Sequence, residues 1–68
     1  MRKENRPRVG YDNVEFDLDG HRIVATVIDY DDDGRLVLGN PHWDDIWHVP
    51  LEQARLTDEP LNHPPSDW

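Results

Sequence analysis

Apolar and charged positions alternate from Val14 to Leu18: Val14, Phe16 and Leu18 are apolar, and Glu15 and Asp17 stand between them. A period of two, with one wet face and one apolar face, predicts a β-strand. Asp19-Gly20 follows at once, a pair favoured in type I′ turns because both central positions need positive φ. The pattern then changes. His21 to Tyr30 is a ten-residue run rich in β-branched side chains. Ile23, Ala25 and Val27 point one way, and Val24, Thr26, Ile28 and Tyr30 point the other. A strand wet on one side would not carry both sets. This second strand is expected either to lie centrally in a closed barrel or to be long and bent, so that its ends serve different sheets.

The acidic turn Asp31-Asp32-Asp33-Gly34 predicts a second hairpin, with a third strand over Arg35–Gly39. Leu36 and Leu38 share one face of it, with Val37 opposite. Asn40-Pro41 ends the strand, because proline lacks the ladder donor and restricts the residue before it. The loop His42-Trp43-Asp44-Asp45 leads into a fourth strand, Ile46–Val49, which Pro50 stops. Leu51–Ala54 is too short for a free helix and suits one 3₁₀ turn. Arg55–Thr57 makes a last short strand. Residues 1–10 (MRKENRPRVG) read as a flexible basic arm, and residues 58–68 as a proline-rich extended tail pinned by Leu61 or Trp68.

The expected fold is therefore all-β: one small five-stranded barrel over residues 11–57, with a 3₁₀ turn before the last strand. The layout resembles the SH3-like barrels, including Tudor-like and KOW-like modules. The resemblance rests on the long second strand ending in Asp31-Asp32-Asp33-Gly34 and on Val49-Pro50-Leu51-Glu52-Gln53-Ala54-Arg55-Leu56. It covers Val14 to Thr57 and is one of layout, without a diagnostic motif; the glycine pattern and basic face of a KOW module are missing. For a Tudor-like domain it implies an aromatic cage that holds a methylated ammonium by cation–π attraction. Trp43, Trp47, Tyr30, Asp44 and Asp45 have the residue types for one. The alternative, preferred for either tryptophan taken singly, is that one or both close the end of a core short of apolar mass.

Charge sharpens the picture. Fifteen carboxylates face seven Lys/Arg, for a net charge of −8. Residues 1–8 carry four basic residues against Glu4, or +3, and residues 9–68 carry three against fourteen acidic, or −11. A body this acidic repels nucleic acid and anionic lipid and attracts basic surfaces. With 68 residues and no cysteine, neither a disulfide nor a thiolate zinc site can supplement a small core. Three Trp, two Tyr and one Phe must supply much of the burial. No secretory h-region and no run long enough to span a membrane is present, which places the chain in the cytoplasm as an expectation.

Candidate chemistry is sparse. Asp29-x-Asp31-x-Asp33-Gly34 fits the first half of a calcium loop, but Asn40 occupies the twelfth position, where a bidentate Glu is required, and the flanks are strands. A solvated hairpin tip is the preferred reading, and no metal or cofactor is expected. His21, His42, His48 and His63 lack the compact spacings of zinc sites. The one serine, Ser66, lies in the tail, and Thr26 and Thr57 have no evident base. An enzyme is not expected.

The expected function is a non-enzymatic acidic interaction module that binds a basic protein surface. Its rim would be Asp31, Asp32, Asp33, Asp44 and Asp45, and its anchors Tyr30, Trp43 and Trp47, with Trp43 the more exposed tryptophan. The alternatives are a nucleic-acid mimic that inhibits a DNA- or RNA-binding protein, and a structural accessory subunit. Direct nucleic-acid binding and membrane binding are not expected, and the chain is expected as a monomer or small homo-oligomer.

Overall fold

A computed structural model describes residues 6–66. It contains five strands: β1 (Asn13–Leu18), β2 (His21–Tyr30), β3 (Leu36–Asn40), β4 (Asp45–Val49) and β5 (Arg55–Thr57), with a 3₁₀ turn at Leu51–Gln53 before the last. All pairings are antiparallel, in one sheet of order β4-β3-β2-β1-β5. Among the described residues no ladder joins β4 to β5, so the barrel's closure is not seen in the hydrogen bonds. The Asp19-Gly20 turn has φ of 53° and 84°, the two positive values a type I′ turn demands.

The sheet nevertheless curls strongly. In a flat sheet β1 and β4, three strand spacings apart, would lie about 14 Å from one another. Instead the rings of Phe16 (β1) and Trp47 (β4) meet edge to face with centroids 5.5 Å apart. The enclosed face holds Val14, Phe16, Ile23, Ala25, Val27, Leu36, Leu38, Trp43, Trp47 and Val49, with Leu18, Tyr30, Leu51 and Ala54 packed against them. Those residues include the alternating faces expected for β1, β3 and half of β2.

One face assignment fails. The ladder between β2 and β3 pairs Val27 with Leu38, then Asp29 with Val37 and Tyr30 with Leu36. Ile28 is thus the extra residue of a bulge, and side-chain parity reverses after it. Tyr30, expected beside Val24, Thr26 and Ile28, joins the core face instead. Ile28 is left outside, 45% exposed.

Both chain ends hold the sheet more closely than the sequence implies. Gly10 N–H donates to the Val27 carbonyl (2.7 Å), and Val27 N–H donates to the Asp12 carbonyl (3.1 Å). The Tyr30 hydroxyl donates to the carbonyl of Pro7. Arg8 pairs with Asp12 and covers the Tyr11 ring at 4.0 Å. The first part of the basic arm, Arg2 and Lys3 included, and Trp68 lie outside the described residues. Among the described residues, the C-terminal segment is fastened chiefly through Asn62.

Candidate functional site

The acidic β2–β3 turn is organised around one carboxylate. Asp31 Oδ1 accepts from the N–H groups of Asp33 and Arg35, both at 2.9 Å. Its Oδ2 accepts from Arg35 Nε and faces His48 Nδ1, each at 2.9 Å. His48 on β4 is thereby tied to the turn. Hydrogen bonding to His48, the backbone donors and the Arg35 charge hold the Asp31 carboxyl down at about 2. Asp33 is paired with Arg35 at 3.1 Å. Asp31 is therefore a fold residue, its oxygens already engaged, and the calcium-loop geometry is not assembled. Among the described residues no three His, Asp or Glu side chains converge as a metal would require.

Trp43 and Trp47 are both in the core, 6% and 9% exposed, which agrees with the core-closing reading and not with surface anchors, and Trp43 is not the more exposed of the two. Their rings meet edge to face at 6.1 Å. A core short of apolar mass takes in both rings, and a cage of Trp43, Trp47 and Tyr30 open to a ligand does not form. Tyr30 is half-buried, with Arg6 over its ring at 5.5 Å. The acidic rim is also split. Asp31, Asp32 and Asp33 sit at one end of β3, and Asp44 and Asp45 at the other, roughly 14 Å away by strand rise.

What the outer face offers instead is a shallow apolar groove. Ile28, Gly39, Pro41 and Ile46 line it, and Asp44 and Asp45 close one end, around a volume of about 670 Å³. Ile46 is 59% exposed, and Gly39 faces it across the β3–β4 ladder. Ile28 points into the groove by the plain alternation that buries Val27, and the space beside it depends on Gly39, where a Cβ would fall 2.5 Å from Ile28 Cδ1. Asp44 adopts φ of 56° at the end of the four-residue loop that follows Asn40, and it lines the groove together with Asp45.

A second built feature lies at the edge of β2. The tight hairpin makes Leu18–His21 a hydrogen-bonded pair, so Arg22 and Val24 turn their backbone groups away from β1. β3 is too short to meet them. Asparagines do so instead. Asn40, 1% exposed, donates Nδ2 to the Val24 carbonyl at 2.7 Å, and its Oδ1 accepts from His42 N–H at 2.9 Å. Val24 N–H donates to Asn62 Oδ1 at 3.0 Å, and Asn62 Nδ2 donates to the Arg22 carbonyl at 2.8 Å. The Asn62 carbonyl accepts from Asn40 Nδ2 (2.9 Å) and from Trp43 Nε1 (3.1 Å). The His63 ring packs against that of His42, tilted by 39° with centroids 3.8 Å apart. Sequence reasoning missed both asparagines. The usable signal was the overhang of a ten-residue strand beyond a five-residue neighbour, whose free N–H and C=O groups needed partners.

Ion pairs neutralise much of the remaining outer face. Glu15 pairs with Arg22 on β2 and with Arg55 on β5, and both arginines pull its carboxyl below the usual range. No helix among the described residues is long and apolar enough to cross a membrane. Comparison with protein-family models, with curated proteins and with solved structures gave no match.

Proposed function

We propose that this chain is a non-enzymatic, acidic protein-interaction module of SH3-like build, which takes an apolar side chain of a basic partner into the groove between Ile28 and Ile46. The SH3-like reading is supported by the meander order, by the pairing of the last strand with the first after a 3₁₀ turn, and by the curl that brings Phe16 to Trp47. The observation that carries the functional reading is the coincidence of two exposed isoleucines with two adjacent carboxylates at one groove. Aliphatic side chains left in water at a concave surface, with charge at the rim, are the usual anatomy of a contact site.

The nucleic-acid mimic is the weaker reading. It needs many carboxylates on one face, and here they are divided among separate turns, with Asp12, Glu15 and Asp31 already paired to arginines. The accessory-subunit reading would use the exposed strand edges and makes no particular demand on the groove.

The test is a partner isolated on the wild-type chain. Its affinity is expected to fall steeply from low to high salt, and to drop at least about tenfold with Ile46→Ser and with Asp44→Asn/Asp45→Asn. Retention of full affinity by both folded variants would sink the groove as the contact site.

A further inference from the structure

The Asn62 contacts have the character of a recognition site. Four direct hydrogen bonds converge on one residue, and they read its side-chain acceptor, its side-chain donor and its main-chain carbonyl. The groups that make them are held without help from Asn62. The Asn40 amide is oriented by His42 N–H and by the Val24 carbonyl, and the Trp43 ring is set in the core. Nothing from residues 58–66 belongs to the core cluster or to the side chains packed against it. The segment also reaches the cradle through Asp58-Glu59-Pro60-Leu61, which has no regular structure. A tail held by polar readout, and not by the core, can leave while the sheet stays folded.

We propose that the edge of β2 at Arg22–Val24, with Asn40 and Trp43, is a peptide-recognition cradle for an asparagine carried on an extended segment of a partner protein. The chain's own Leu61-Asn62-His63-Pro64 occupies it as an intramolecular stand-in. Binding in trans is then capture of a side-chain amide by the backbone groups of a sheet edge, with the main-chain carbonyl of the same residue held by Asn40 and Trp43. Aspartate fails because it lacks the donor for the Arg22 carbonyl and turns a carboxylate oxygen toward it. Alanine fails because it leaves Arg22 and Val24 unmatched. The site adjoins the Ile28–Ile46 groove, which Asn40 also lines, but it is read by different contacts and its test does not depend on that groove.

The experiment uses the full-length chain carrying Asn62→Ala, labelled with ¹⁵N, and a peptide of residues 58–66, DEPLNHPPS. The peptide is expected to move the Val24 amide and the Trp43 indole N–H saturably toward their wild-type positions. Peptides with alanine or aspartate in place of the asparagine are expected to bind at least about tenfold more weakly. Three results overturn the proposal: a folded variant whose two resonances ignore millimolar peptide, equal affinity for the alanine peptide, or a variant that does not fold. The last counts against it because a displaceable stand-in must be dispensable to the fold.

Discussion

Asn40 and Asn62 meet beside the free edge of β2, where the Asn40 Nδ2 donates to the Asn62 main-chain carbonyl at 2.9 Å. The same nitrogen also donates to the Val24 carbonyl, and Oδ1 accepts from His42 N–H, so both ends of the amide are engaged. Asn40→Ala is expected to cost about 2–4 kcal/mol, because buried partners lose their bonds without gaining water. Asn40→Asp is expected to cost more, since it sets an acceptor against two carbonyls. Urea midpoints at unchanged slope measure both. An aspartate variant as stable as wild type would mean that the amide orientation is wrong.

Asp31 makes folding sensitive to acid in a defined direction. Its folded value of about 2 lies below the ordinary carboxylate value, so its contribution to stability is present above about pH 4 and is lost as pH falls toward 2. Asp12 and Glu15, also held low by arginines, share the same acid limb. Asp31→Asn should therefore lower stability at neutral pH and flatten, without abolishing, the loss between pH 4 and pH 2. Urea titrations of both proteins across that range are the check. Parallel pH profiles would show that the Asp31 contacts with His48 and Arg35 are not kept in solution.

Gly39 and Ile28 are expected to be coupled. An added methyl at Gly39 meets the mobile end of Ile28, which can rotate away into solvent, so Gly39→Ala should change stability by less than about 1 kcal/mol. In an Ile28→Ala background the clash is absent. There the same change should stabilise by about 0.5–1 kcal/mol, through the lower backbone entropy of alanine. A double-mutant cycle reads the difference, and strict additivity would contradict the packing of Ile28 over Gly39.

The two hairpins were legible because their signals are local. Asp19-Gly20 fixes its turn by φ, and the apolar alternation fixes which face of β1 and β3 is buried. All five strands lie within one residue of the bounds that alternation and proline set. What escaped depends on three dimensions. The bulge at Ile28 leaves no mark in an unbroken β-branched run, yet it moves Tyr30 to the core face. For Trp43 and Trp47 the residue types left cage and core both open, and the core's shortage of apolar mass decided for burial of the pair. Asn62 fills a vacancy on a strand 38 residues away, a separation no local pattern encodes.

Trp43 and Trp47 offer a last contrast, because their indole nitrogens have different fates. Trp43 Nε1 donates to the Asn62 carbonyl, while Trp47 Nε1 is buried with no hydrogen-bond partner among the described residues. Replacing either with phenylalanine removes a similar volume and keeps an aromatic ring in the Phe16–Trp47–Trp43 stack. Trp47→Phe also deletes an unsatisfied buried donor, which offsets the packing loss by about 1–3 kcal/mol. Trp43→Phe instead loses a made bond and loosens the tail. Trp43→Phe is therefore expected to be the more destabilising by at least about 1 kcal/mol. It should also speed hydrogen exchange at the Val24 amide, which Trp47→Phe should leave slow. The reverse order of stability would mean that the Trp47 N–H is satisfied in solution and that the core contains a hydrogen bond this structure lacks.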